Sequence, residues 1–345
     1  VERIGRDELV TLLRRVFAPR PGDRAVAILV DLPDAELPDT PAWRIRRRLA
    51  AGWARELAAT EDELGLPTRL VAYRNVRRDN ADLPERAWIV APEELPDHAD
   101  ALDGAAAVPF AEILASHGIV LAPTHLSATA PLKVAARRHG LRAATMPGFT
   151  PEMIPALRLD YGEIGRRVDA LAALLTRAEA AVVATRAAGS AHRLELDLRH
   201  RAGHASGGVF REPGTAGNLP SGEAYIVPYE GEREGDPSRT RGELPLELDG
   251  ELLLLEIEGN RVVGVHGDGP VAARERAALA AEPAAANVAE LGLGVLGELG
   301  IEPVGEILLD EKLGLHIAFG RSDHFGGAVG PGAFSRPEAA QVRQF

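Results

Sequence analysis

Apolar and polar positions follow two different rhythms along this chain. In the first half, short apolar runs end in turn residues and give way to stretches with helical spacing. Residues 25–30 (AVAILV), closed by Asp31 and Pro33, predict a buried strand. Residues 43–57 space their apolar positions as an amphipathic helix does, with Arg44, Arg46, Arg47 and Arg48 forming a solvated basic face. Further strands are predicted at 68–73, 87–90 and 118–122, and a long amphipathic helix at 160–181 is expected to link two domains. Strands alternating with helices build a parallel sheet, so residues 1–180 read as an N-terminal α/β domain.

Beyond residue 181 the rhythm changes to period two. Leu194, Leu196 and Leu198 alternate with Glu195, Asp197 and Arg199, a half-buried strand with polar residues outward. Residues 246–257 and 261–266 predict a hairpin turning at Gly259-Asn260, and 231–242 an exposed loop. Residues 181–345 are therefore expected to form a β-rich α+β domain carrying the pocket.

Composition narrows the chemistry. Among 345 residues only 4% are aromatic, so Ala, Leu and Val must fill the core. Lys plus Arg minus Asp plus Glu is 39 − 51 = −12, which argues against a nucleic-acid partner, because phosphate contacts need clustered cations. The absence of cysteine excludes disulfides, thiolate metal sites and cysteine nucleophiles, leaving His, Asp and Glu as metal ligands. A charged start and the lack of a long apolar run predict a cytoplasmic protein with no membrane partner. No GxGxxG, GxxxxGK[ST] or GxSxG motif occurs, so neither a phosphate cradle nor a serine elbow is expected.

Four segments set ionisable groups beside glycine: 218–223 (NLPSGE), Val288–Gly294 (VAELGLG), 310–312 (DEK) and 316–320 (HIAFG). Glycine lets backbone approach a ligand, and carboxylates with an imidazole suit a divalent cation. Together with ATMPGFTPEMI (144–154), YIVPYEGEREG (225–235) and FGG (325–327), these strings resemble the aminopeptidase T family, metallo-aminopeptidases of thermophilic type also called leucyl aminopeptidases. The resemblance runs from about residue 118 onward. It implies a homodimer whose C-terminal half holds two divalent metals, zinc, cobalt or manganese, acting on a peptide or peptide-like small molecule. Paired metals about 3.5 to 4 Å apart polarise a carbonyl and activate water. By that resemblance Glu223, Glu290 and His316 are metal ligands, with Glu290 beside the nucleophilic water.

The family completes its site with a His-x-Asp pair after a Pro-Glu dipeptide. Here Pro337-Glu338 is followed by Gln341 in place of the His and Arg343 in place of the Asp. Gln offers one weak carbonyl donor and Arg none. The family also places a tyrosine where this chain has Asp323, followed by His324; Tyr225 or Tyr229 is a candidate replacement as oxyanion donor.

Three readings of this altered site stand side by side. One metal is retained on Glu223, Glu290 and His316, with Asp323 or His324 recruited; or Arg343 replaces the metal and pairs with Glu223 or Glu290; or the terminal strand lies elsewhere. The function expected is hydrolase-like. The alternatives are a metal-independent biosynthetic enzyme using Glu290, Asp323 and His324 in acid–base chemistry, and an inactive binding subunit. His192, His200 and His204 are expected on a solvated strand edge.

Overall fold

The computed structural model describes residues 2–104, 106–336 and 339–345; Pro337 and Glu338 lie outside them. The chain divides into two compact units built from interleaved segments. The first takes the chain up to Arg166 with Ser206–Gly222 and Leu296–Lys312; the second takes Arg167–Ala205, Glu223–Val295 and the chain from Leu313 on. The result is an N-terminal α/β unit and a β-rich α+β unit.

The first unit is organised on a seven-stranded sheet in the order Ala216–Asn218, Arg142–Thr145, Ile119–Ala122, Val26–Leu32, Thr68–Arg74, Arg86–Val90, Val108–Pro109. The first five strands run parallel and the last two join antiparallel. Val26–Leu32 is buried along its whole length, as the apolar run up to Val30 requires, and the burial extends over Asp31. Small residues do fill much of this core, with Ala27, Ala122, Ala136 and Ala143 packed among Leu, Val and the rings of Tyr73 and Phe110.

The helix Pro41–Ala58 forms where its spacing predicts, capped by the Thr40 hydroxyl accepting from Trp43 N. Its basic face is not uniformly solvated. Arg46 and Arg47 are each 2% exposed. The Arg46 guanidinium donates to the Phe149 carbonyl and meets His125, and Arg47 forms a two-pronged pair with Asp39. Burial is possible because every guanidinium finds a fixed partner.

The second unit carries two five-stranded sheets. One runs Arg261–His266, Glu251–Glu258, Arg241–Leu248, Ser190–Asp197, Ala180–Ala187. The hairpin at Gly259-Asn260 forms, but the stretch before it is two strands, turning at Asp249-Gly250 with φ of 49° and 77°. Positive φ at both central residues is the tight-hairpin geometry that Asp-Gly favours, and apolar continuity across 246–257 hides it. Arg241 and Gly242, expected in a loop, already belong to the sheet.

The other sheet runs Val342–Gln344, Leu315–Gly320, Val288–Gly294, Glu223–Ile226, His204–Ser206. Its first four strands pair antiparallel, with a bulge between Val288 and Glu290. Among the described residues, no helix is long and apolar enough to cross a membrane.

Candidate metal centre

Register decides which side chains share a face of this second sheet. Directly paired residues project to the same side, and residues two apart along a strand do likewise. Glu223 pairs with Gly294, Tyr225 with Gly292, Gly292 with His316, and Glu290 with Ala318. Glu223, Glu290 and His316 therefore rise from three adjacent strands on one face.

Their donor atoms all lie within 4.8 Å of one another, and all three residues are buried. His316 Nε2 is 3.7 Å from Glu223 Oε2 and 3.8 Å from Glu290 Oε1. These gaps are too long for hydrogen bonds. They fit under the limit of roughly 4.2 Å for two ligands sharing one cation at about 2.1 Å each.

Two further observations fit a cation here. Glu290 Oε2 is buried and, among the described residues, takes no hydrogen bond. A buried carboxylate oxygen left in that state costs free energy unless something positive meets it. The imidazole, in turn, lies over the strand residue opposite it: a Cβ at Gly292 would sit 2.0 Å from both Cε1 and Nε2 of His316. Glycine in VAELGLG is what clears the space for the ligand ring. Two carboxylates and a neutral imidazole balance the charge of one dication, so the donor set can chelate a divalent metal.

The loop after His316 is tied down from beneath. Glu230, whose side chain is 5% exposed, accepts from Ser322 Oγ, Ala328 N, Asn287 Nδ2 and Arg201 Nη2. This fixes the loop that carries Asp323 and His324. Burial raises the Asp323 carboxyl, but the Arg321 guanidinium bonded to it and His324 together hold it below the ordinary range. Burial and then Arg321 push the His324 imidazole down, only partly offset by Asp323 and by the charge of Glu290. His324 thus lies within electrostatic reach of Glu290 and favours its neutral form.

An aromatic shelf borders the same face. Tyr225 stacks on His204 with centroids 5.2 Å apart, meets Phe325 edge-on at 5.6 Å, and Phe325 contacts His324 at 3.9 Å. His204 lies exposed on the edge strand of this sheet, as expected, and its stacking on Tyr225 has no sign in its sequence neighbours. His192 and His200 are elsewhere, on Glu243 and Asp236. Tyr229 is fully buried, its hydroxyl donating to the Asp236 carbonyl, which gives it a structural role.

The proposed replacement of the metal by Arg343 does not occur. Arg343 pairs with Phe319, on the face opposite Ala318, and its guanidinium donates to Glu275 Oε2 at 2.6 Å while lying over the Phe345 ring. Gln341 precedes the strand with its side chain exposed and its carbonyl accepting from Arg321 N. Neither residue pairs on the strand face of the two acids, because the terminal strand presents Val342 and Gln344 there instead.

No protein-family model matches the chain, and no curated protein matches it. Solved structures do. A 2,5-dihydroxypyridine dioxygenase from Pseudomonas putida KT2440 superposes with a TM-score of 0.61 at 17% identity, over 94% of this chain and 89% of that one. Wild-type AmpT from Thermus thermophilus superposes with a TM-score of 0.52 at 18% identity, over 92% of this chain and 86% of that one. At such identities the likeness is one of fold, and that fold is compatible with a peptidase-type or a dioxygenase-type site.

Proposed function

We propose that this chain is a hydrolase dependent on one divalent metal, cleaving an amide or peptide-like bond in a small molecule. The observation that carries the proposal is the buried convergence of Glu223, Glu290 and His316 with donor atoms within 4.8 Å. Three protein ligands with positions left over is the pattern of catalytic rather than structural sites. A single ion also matches the donor count, since Gln341 and Arg343 bring no pair of ligands for a second.

Glu223, His316 and Glu290 would hold the ion. A bound dication supplies charge that polarises a carbonyl and makes water acidic near neutral pH. Glu290, whose Oε2 takes no hydrogen bond among the described residues, would be the base that takes the proton from a water beside the ion. Glu290, once it has taken that proton, would return it to the departing amine, with neutral His324, beside Asp323, as a hydrogen-bond acceptor for that amine, and Tyr225 would be the donor for the developing oxyanion.

A second reading is oxygen-dependent cleavage of an aromatic ring. It is favoured by the shelf of Tyr225, His204 and Phe325 and by the fold shared with a solved dioxygenase. One experiment separates them. The full chain is stripped, reloaded with zinc, cobalt, manganese or iron(II), and assayed for release of nitroaniline from aminoacyl nitroanilides and for oxygen uptake with 2,5-dihydroxypyridine. Hydrolysis with the first three metals supports the hydrolase; uptake with iron(II) alone overturns it for the second reading. Failure to retain any metal overturns both.

A further inference from the structure

A catalytic metal site takes at least four donors, and the cluster of Glu223, Glu290 and His316 supplies three from protein. The register of the terminal strand points to another polar group on the same face. Glu290 pairs with Ala318, and Ala318 pairs with Gln344. The three residues stand in one row across the sheet, with only a methyl group in the middle. Two interstrand spacings amount to roughly 10 Å between the outer backbones, a gap that a Glu and a Gln side chain approach from opposite ends.

The opposite face confirms the sidedness. Phe319 pairs with Arg343, the rings of Phe319 and Phe345 meet at 5.9 Å, and these residues with Glu275 line one apolar groove. Arg343 and Phe345 therefore point one way and Gln344 the other. A shift of pairing by one residue would exchange the two sets, which is how a strand with an unpromising sequence can still bring a donor to the site. Val342, on the same face but one row away beside Gly320, has no polar atom in its side chain to offer.

We propose that Gln344 is a positioning and binding residue of the centre, its amide oxygen serving as a neutral donor to the divalent ion held by Glu223, Glu290 and His316. This rests on the metal reading of those three residues. A neutral oxygen leaves the site's charge balanced and favours harder ions such as manganese over zinc.

The test is isothermal titration calorimetry of manganese and zinc into the metal-free full chain and its variants. Gln344→Glu adds a charged oxygen and should tighten manganese about tenfold, because affinity follows the count of charged ligands. Gln344→Leu should weaken it about threefold to tenfold, as loss of a supporting group does. Arg343→Gln puts the same amide on the other face and should leave affinity within about twofold, as a site it does not touch requires. A purely structural role for Gln344 would not move affinity in opposite directions for Glu and Leu. Unchanged manganese affinity in both Gln344 variants overturns the inference while the three-residue site stands. A parent chain that binds neither ion overturns the site and the inference together.

Discussion

Two carboxylates, Asp31 in the first unit and Glu290 in the second, are buried to nearly the same degree, at 1% and 2% exposure. Their surroundings differ completely. Asp31 sits at the end of a parallel strand, where its two oxygens accept from the backbone N–H groups of His125 and Leu126 and from the Trp43 indole. Burial drives its carboxyl upward against those hydrogen bonds and the nearby Arg46 charge. Among the described residues Glu290 keeps an oxygen with no hydrogen bond, and its other oxygen faces an imidazole at 3.8 Å. A buried acid whose donors are all supplied by its own chain is part of the architecture. One left open beside another acid and a histidine is arranged for something that arrives.

The largest expected effect breaks that contrast from the metal side. Glu290→Gln should lose at least about a hundredfold in metal affinity, roughly 2.7 kcal/mol, since a ligand outweighs the outer groups that alone contribute 10- to 100-fold. The metal-free variant should be no less stable than the parent, because a buried charge has been removed. A fall in its denaturant midpoint would place Glu290 in the same structural class as Asp31.

Next, Asp31→Asn turns an amide nitrogen toward one of two backbone donors. It should cost about 2 kcal/mol of folding stability while leaving metal affinity alone. Chemical denaturation with parallel calorimetry reads both, and a lost metal response would merge the two sites. Gly292→Ala sharpens the comparison further, because the added methyl displaces His316. Metal affinity should drop about tenfold, near 1.4 kcal/mol, with little change in the metal-free fold.

The smallest effect concerns an acid between the extremes. Asp39, with its side chain 18% exposed, is held below the ordinary carboxylate range by its hydrogen bonds to Arg47, which prevail over burial. Its stabilisation is present above the unfolded pKa of about 3.9 and is lost as pH falls through the lower folded value. Asp39→Asn should cost about 1 kcal/mol at neutral pH and make the acid limb of a stability–pH curve less steep. An unchanged acid limb would remove Asp39 from the groups that set acid stability.

What the sequence determined by itself is local in origin. Apolar runs such as residues 25–30 specify strands buried on both sides, helical spacing specifies Pro41–Ala58, and period-two alternation specifies the β-rich part. Glycine next to acid or imidazole in NLPSGE, VAELGLG and HIAFG marked Glu223, Glu290 and His316, which the fold does bring together. Other features depended on partners distant in sequence. Arg46 and Arg47 become interior residues because Phe149, His125 and Asp39 meet them, and His204 joins the shelf because Tyr225, itself against Phe325, stacks on it. The face on which Gln344 and Arg343 project was settled by interstrand pairing alone. Hydrogen bonds between strands choose a register, and a one-residue difference in that choice reverses which side chains reach the site without altering any local pattern.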